Sequence, residues 1–267
     1  MVRAIVAGAA GRMGGRIIHG ICQSKGITLA AAFEHPDHPC IGQDVGQMVG
    51  LGNLGIQVAS SLEEVSATGE VLIDFTTPEA TLKNTRVAFS RGLSMVIGTT
   101  GINGDTLKEI TRLSKEIRCV MSPNMSVGVN VMFRIAEDMA GYLGQDYDIE
   151  ILEAHHRFKK DAPSGTAMKL ARILASATDR NLDEVAVYER RGMIGERTNR
   201  EIGIQTWRAG DITGEHTILF GGIGERLELI HRAHNRDNFA RGAVKAAEWI
   251  VQQSAGLYDM QDVLGLR

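Results

Sequence analysis

The first fourteen residues constrain the fold more than any other stretch of the chain. Val2–Ala7 is a short apolar run bounded by glycine, the pattern of a strand buried on both faces in a parallel sheet. Gly8-Ala9-Ala10-Gly11-Arg12-Met13-Gly14 follows, and Met13, Ile17, Ile18, Ile21 and Cys22 then recur at helical spacing. The order is strand, glycine turn, helix. In such a turn the first glycine permits the bend, the middle one lets the backbone approach a pyrophosphate, and the third allows close helix–strand packing. The helix N-terminus then faces the phosphates. Gly8, Gly11, Arg12, Met13 and Gly14 are therefore candidate dinucleotide contacts. The spacing is GxxGxxG rather than the commoner GxGxxG, and a tight turn without a ligand is the plain alternative.

The next stretches repeat the alternation. Ile27–Phe33 reads as a second strand ending at Glu34, where an acidic residue suits the ribose hydroxyls of an adenosine; a solvated strand-end charge is the alternative. Arg12 and His35 can face a 2′-phosphate that Glu34 would repel, so the residues leave the choice between NADH and NADPH open. His35, His38 and Cys40 lie close together, but no fourth ligand is near and two prolines mark a surface loop, so no metal site is expected. Ser60–Glu64 looks like a cap and a short helix. Val71–Phe75, Met95–Ile97 and Arg118–Met121 read as further buried strands. Pro78 opens a helix with Leu82, Val87 and Ala88 on its inner side, and Gly104–Lys115 forms another. This predicts a doubly wound parallel sheet, with ligands beyond the carboxyl ends of its strands. Those ends carry Phe75 and Thr76, then Gly98, Thr99 and Thr100, then Ser122, Pro123, Asn124 and Met125, and together they form one predicted cleft rim.

The second half has another architecture. A helix over Val127–Leu143 gives way to an alternating strand over Tyr147–Glu153, then a helix over Thr166–Ala177. Ile202–Ala209, His216–Phe220 and Arg226–Ala233 are consecutive strand candidates joined by glycine-rich turns. This predicts an α+β domain with a mixed, largely open-faced sheet, and an uncovered apolar face predicts an oligomer formed through it. The helix over Ala240–Gln252 has no assigned partner from pattern alone. A net charge of −3 over 267 residues argues against general nucleic-acid binding. Three cysteines without CxxC spacing argue against a disulfide framework. No apolar stretch reaches membrane-span length and no h-region opens the chain, so a cytoplasmic protein without a membrane partner is expected.

The chemistry concentrates in Glu153–Ala167, which reads EAHHRFKKDAPSGTA. The predicted strand ends at the two histidines. Neighbours on a strand point to opposite faces, so His155 and His156 suit separate tasks rather than one metal. Imidazole can give or take a proton near neutral pH; a satisfied structural histidine is the alternative. Arg157, Lys159 and Lys160 are a solvated loop on the plain reading and a carboxylate site on the sharper one. Backbone N–H groups and hydroxyls of Ser164, Gly165 and Thr166 at a helix start bind carboxylates through hydrogen bonds and the helix dipole. Asp161 or Ser164 as N-cap, with Pro163 in the first turn, is compatible with that.

These motifs resemble the 4-hydroxy-tetrahydrodipicolinate reductase (dihydrodipicolinate reductase) family of the diaminopimelate–lysine pathway. The resemblance is carried by the Glu153–Ala167 segment with its paired histidine, lysine and Asp-Ala-Pro-Ser-Gly-Thr. The Gly8–Gly14 turn, Asp74-Phe75-Thr76, Gly98–Gly101, Asn124–Asn130, Arg208–Asp211 and Gly224–Glu228 match in order, nearly end to end. The resemblance implies a Rossmann-type dinucleotide-binding domain over 1–126, a substrate-binding and oligomerisation domain over 127–235 that builds a homotetramer, and a return of 236–267 to the first domain. It implies NADH- or NADPH-dependent reduction of a cyclic dicarboxylate imine with loss of water. In it His155 is the acid and Lys159 the companion cation. His156, Lys159, Ser164, Gly165, Thr166 and Arg236 meet substrate. Gly8, Arg12, Met13, Glu34, Gly98, Thr100 and the 121–124 turn meet cofactor. His35 stands where some members carry an arginine suited to NADPH, and Phe158 and Lys160 also depart from the pattern. Three other functions fit parts of the chain: a dehydrogenase for another substrate, a nucleotide-sensing regulator, and a metal-dependent hydrolase using His155 and His156.

Overall fold

Val2–Ala7 (β1) runs straight into Gly8, whose φ of 64° is a left-handed conformation that favours glycine, and the chain re-enters a helix at Gly14–Gln23 (α1). The computed structural model describes residues 1–267. The elements continue as β2 (Ile27–Phe33), α2 (Val45–Val49), β3 (Val58–Ala59), α3 (Leu62–Val65), β4 (Val71–Asp74), α4 (Pro78–Arg91), β5 (Ser94–Ile97), α5 (Gly104–Ser114) and β6 (Arg118–Met121). Then come α6 (Val127–Leu143), β7 (Asp148–His155), α7 (Gly165–Ala177), α8 (Leu182–Val185), β8 (Ala186–Val187), β9 (Ile202–Arg208), β10 (Gly214–Gly221) and β11 (Arg226–Ala233). The chain closes with α9 (Asp237–Ile250), β12 (Gly256–Tyr258) and α10 (Met260–Leu264). No helix is long and apolar enough to cross a membrane.

Two compact units result: Met1–Val127 with Arg236–Arg267, and Gly128–Asn235. In the first, seven strands lie in the order β12-β6-β5-β4-β1-β2-β3, and every pair is parallel. The order reverses between β1 and β4, which is where a doubly wound sheet opens a ligand crevice. Ile17, Ile18 and Ile21 of α1 pack with Ala243, Ala247 and Ile250 of α9 on one face. Cys22, expected on the same stripe, is exposed. On the other face α4 buries Thr81, Asn84, Thr85 and Ala88. Leu82, Val87 and Ala88 pack on the core as expected, and Thr81, Asn84 and Thr85 are buried with them, because a buried carboxylate, Asp74, takes the hydrogen bonds of Thr81 and Asn84 and the Thr81 carbonyl takes that of Thr85. The strand β12, which pairs with β6, carried no legible sequence signal, being only three residues long.

The second unit has a five-stranded mixed sheet in the order β11-β10-β7-β9-β8. Strand β10 is antiparallel to β7 and β11, whereas β9 is parallel to β7. Ile149, Ile151, Ile202, Ile204, Ile218 and Phe220 form one face and pack with Phe133 and Ala136 of α6 and Leu170 and Leu174 of α7. The opposite face leaves Trp207 60% and Ile230 41% exposed. Strand β7 extends two residues beyond the expected Glu153, so His155 is a strand residue with sheet-fixed direction.

Candidate active site

In the first unit the glycine turn suits the pyrophosphate of a dinucleotide. Gly11 N–H donates to the Gly8 carbonyl at 2.9 Å, and a Cβ on Gly14 would lie 2.0 Å from that same oxygen. Gly14 thus serves the tight turn itself. No side chain caps the start of α1, which leaves the N-terminal dipole available to an anion. A groove of about 380 Å³ lies over this turn, lined by Ala10, Gly11, Arg12, Arg16 and His19 among others. Glu34 sits at the end of β2 and accepts from Ala10 N–H at 3.1 Å and from His35 N–H at 2.9 Å. Its charge is thereby pinned beside the glycine turn. The His35 ring is exposed, with Nδ1 3.7 Å from Asp37. His38 Nδ1 faces Cys40 Sγ at 2.9 Å in the following loop.

The rim around β4, β5 and β6 is organised by Asp74, which is fully buried. It accepts from Thr76 N–H at 2.9 Å, Thr76 Oγ1 at 2.6 Å, Thr81 Oγ1 at 3.2 Å and Asn84 Nδ2 at 2.8 Å. Thr76 thereby lies against Gly8, where a Cβ would come 3.0 Å from its methyl. Phe75 lies across Gly98, whose added Cβ would be 2.2 Å from the ring, so a side chain there would have to displace that ring. Thr99 is buried and its hydroxyl meets that of Thr81 at 2.7 Å. Ser122 is also buried and donates to the Asn124 carbonyl at 3.0 Å. The Met125 side chain belongs to the core, 1% exposed, so any contact it offers at the turn after β6 comes from its backbone. Thr100 and Pro123 remain exposed. Arg236 belongs to this unit, where the expected return of 236–267 puts it. Burial, then the charges of Arg12 and Arg16, lower its pKa from the ordinary arginine value.

The second unit gathers the other half of the expected residues. Along β7 the face that is apolar at Ile149 and Ile151 becomes polar at Glu153 and His155. Glu153 is fully buried and accepts from His155 Nδ1 at 2.6 Å, from Ser164 N–H at 3.0 Å and from Thr206 Oγ1 at 3.2 Å. Arg208 binds both carboxylate oxygens, at 2.9 and 2.8 Å. Burial works against this charge, yet the hydrogen bonds from His155, Arg208 and Ser164 outweigh it and hold the carboxyl at about 2. His216 stands edge-on to His155, ring centroids 5.4 Å apart. Burial, then the neighbouring charge on His155, pushes its pKa down to about 3, so it is neutral at ordinary pH.

Ser164 is the N-cap of α7, its Oγ accepting from Ala167 N–H at 3.2 Å and meeting His216 Nε2 at 3.2 Å. Pro163 therefore precedes the helix rather than lying in its first turn, and Asp161 is not the cap. Asp161 instead accepts from Lys159 Nζ at 2.8 Å. Its carboxyl is held below the usual range: partial burial opposes the charge, but the Lys159 hydrogen bond prevails. Gly165 is exposed, and a Cβ on it would meet nothing within 4 Å. The start of α7 is thus open above Gly165 and closed beneath Ser164. His156 lies just past the strand with its ring 6.2 Å from that of Phe158, and Arg157, Phe158 and Lys160 are exposed. Glu153, Arg208 and His216 had no assigned role from sequence. The signal was period-two parity: Glu153 and His155 share a face with Ile149 and Ile151, and a carboxylate on a core face needs a reason.

Comparison with known proteins places both units in one family. The family model described as dihydrodipicolinate reductase, N-terminus, matches residues 2–125, and the one described as dihydrodipicolinate reductase, C-terminus, matches residues 128–264. A 4-hydroxy-tetrahydrodipicolinate reductase of Syntrophus aciditrophicus (strain SB) is 55% identical over 267 residues and 100% of both chains. One of Desulfotalea psychrophila (strain LSv54 / DSM 12343) is 56% identical over 100% of this chain and 99% of its own. Among solved structures, the dipicolinate-bound dihydrodipicolinate reductase from Paenisporosarcina sp. TG-14 superposes with a TM-score of 0.76 at 27% identity, covering 98% of each chain.

Proposed function

Since the chain belongs to the dihydrodipicolinate reductase family, a family of oxidoreductases, we propose that it reduces 4-hydroxy-tetrahydrodipicolinate to tetrahydrodipicolinate with loss of water. The observation that carries this reading is the shared carboxylate of Glu153. One oxygen takes His155 Nδ1 and the other takes the N–H of Ser164, which ties a proton donor to a carboxylate-binding helix start. A bound reduced nicotinamide, NADH or NADPH, supplies the hydride. His155 delivers the proton to the carbon next to the one reduced. The N–H groups and hydroxyl at Gly165 and Thr166 hold a substrate carboxylate, helped by the helix dipole. Lys159, drawn partly from Asp161, neutralises the second negative group and the charge that develops in the ring. In the first unit Gly8, Gly11, Arg12 and Met13 bind the pyrophosphate and Glu34 the ribose hydroxyls. The Glu34 carboxylate favours NADH, because a 2′-phosphate beside it is repelled.

The physiological setting that fits is diaminopimelate and lysine biosynthesis in the cytoplasm. The open sheet face with Trp207 and Ile230 supports a homotetramer formed through the second unit. Sedimentation giving a monomer would sink that part alone. The main test is steady-state turnover of the pathway intermediate with NADH and NADPH side by side. His155→Gln and Lys159→Ala are each expected to cut kcat by ~10²-fold or more while cofactor binding is retained. Near-normal turnover in both variants would remove the assigned chemistry.

A further inference from the structure

Glu153 is more than a cap for Ser164. A buried carboxylate is costly, and as a purely structural element an apolar residue of similar size is often as good. Here the charge is retained at 0% exposure and receives donors from three directions. His155 comes from its own strand, Thr206 and Arg208 come from β9, and Ser164 comes from the start of α7. The parallel pairing of β7 with β9 sets Glu153 opposite Thr206 and His155 opposite Arg208, so the register itself delivers these partners. Arg208 is anchored further by its bond to the Asp161 carbonyl at 2.7 Å, which fixes the fork in place.

The consequence falls on His155. An ionised carboxylate only accepts, so Nδ1 must carry hydrogen, and the exchangeable proton of the reaction belongs to Nε2. The Nε2 edge lies beside Gly214, where a Cβ would come within 3.1 Å; the glycine keeps that edge clear. We propose that Glu153 is a positioning residue for the reaction: it fixes the His155 tautomer with Nε2 as the reacting nitrogen and stabilises the imidazolium that carries the proton, and Arg208 holds Glu153 in the orientation this requires. The proposal rests on the reading of His155 as the acid. In the transfer the Nε2–H bond breaks, its electron pair stays on the nitrogen, and the proton forms the new C–H bond. The neutral ring left behind keeps its Nδ1–H on Glu153, and solvent later restores the proton at Nε2. His216, neutral and edge-on to the ring, adds packing without a competing positive charge.

The test is Glu153→Gln, measured for turnover, for substrate KM and by ¹⁵N NMR of the histidine rings. Loss of the charge is expected to lower kcat by ~10²-fold or more with KM changed less than about threefold, since the carboxylate acts through His155. The ¹⁵N shifts of neutral His155 are expected to report Nδ1–H alone in the parent and a mixture of tautomers in the variant. Glu153→Asp, which keeps the charge on a shorter arm, is expected to recover part of kcat. An unchanged His155 spectrum with kcat within threefold of the parent would overturn the proposal. Should Glu153→Gln not fold, Arg208→Lys serves in its place, with an expected tenfold loss in kcat and the same spectral change; an unchanged spectrum there is equally fatal. His155→Gln run alongside separates the two ideas. Full turnover in that variant removes the acid role, whereas the NMR tautomer reads the hold of Glu153 on His155 independently of turnover.

Discussion

At Gly165 one methyl group separates binding from folding. Alanine there would meet no protein atom within 4 Å and would occupy the first turn of α7, where it is the better helix former. Gly165→Ala is therefore expected to leave thermal stability unchanged or raised by up to about 1 kcal/mol. The same methyl projects into the space assigned to a substrate carboxylate, so KM is expected to rise about tenfold or more by the cost of a misplaced contact. An unchanged KM would move the carboxylate away from this helix start. At this scale His155, Lys159 and Ser164 were legible because their residue types cluster within ten positions of one another in the chain. Arg208 and His216 were not, since they lie 55 and 52 residues from the groups they contact, Arg208 meeting Glu153 through strand pairing and His216 meeting Ser164 where α7 starts beside the sheet.

Among the elements, α9 shows the tightest fit. A Cβ on Gly242 would sit 1.7 Å from the Met125 carbonyl oxygen, so the helix approaches the turn after β6 with backbone almost in contact. Gly242→Ala must push the two apart, and a loss of about 1–3 kcal/mol is expected from such overpacking, read as a lower urea midpoint. If the midpoint stays within error of the parent, the close approach is not rigid. The helical period of this segment was legible, but not its partner. Small residues on one stripe (Ala240, Ala243, Ala246, Ala247) say that something comes near without saying what. The opposite case is α4. There the apolar Leu82 and Val87 pack on the core as their pattern predicts, but Thr81, Asn84 and Thr85, which the pattern does not mark, go inside with them. Polar residues are buried at no net loss when each finds a partner; Asp74, ten residues from Asn84, supplies it for Thr81 and Asn84, and the Thr81 carbonyl supplies it for Thr85.

Over the whole molecule the clearest signature is the pH dependence of the second unit. His216 has a folded pKa of about 3 against 6.5 unfolded, so the unfolded chain binds a proton that the folded chain refuses. Its contribution to stability is fully present above pH 6.5 and is lost as pH falls toward 3. Glu153, at about 2 folded against 4.5, adds a second loss, present above pH 4.5 and removed on the way to 2. Urea midpoints are expected to drop between pH 7 and pH 5, and His216→Gln is expected to flatten that slope while keeping a polar contact to Ser164. An equal slope in parent and variant would show that other histidines carry the effect.

What the sequence determined by itself was local and periodic. The glycine turn after a six-residue strand, the alternation of strands and helices, the switch of pattern after α6, and the histidine–lysine–serine segment are all short-range features, readable because backbone geometry repeats every two or 3.6 residues. The tertiary structure decided what long-range pairing alone can decide. It placed β9 parallel to β7 so that Arg208 meets Glu153, turned a charged residue into the group that holds His155, and buried the side chains of Thr99 and Met125. The reason is physical. A side chain's direction follows from its own strand or helix, but its partner is set by which elements pack together and in what register.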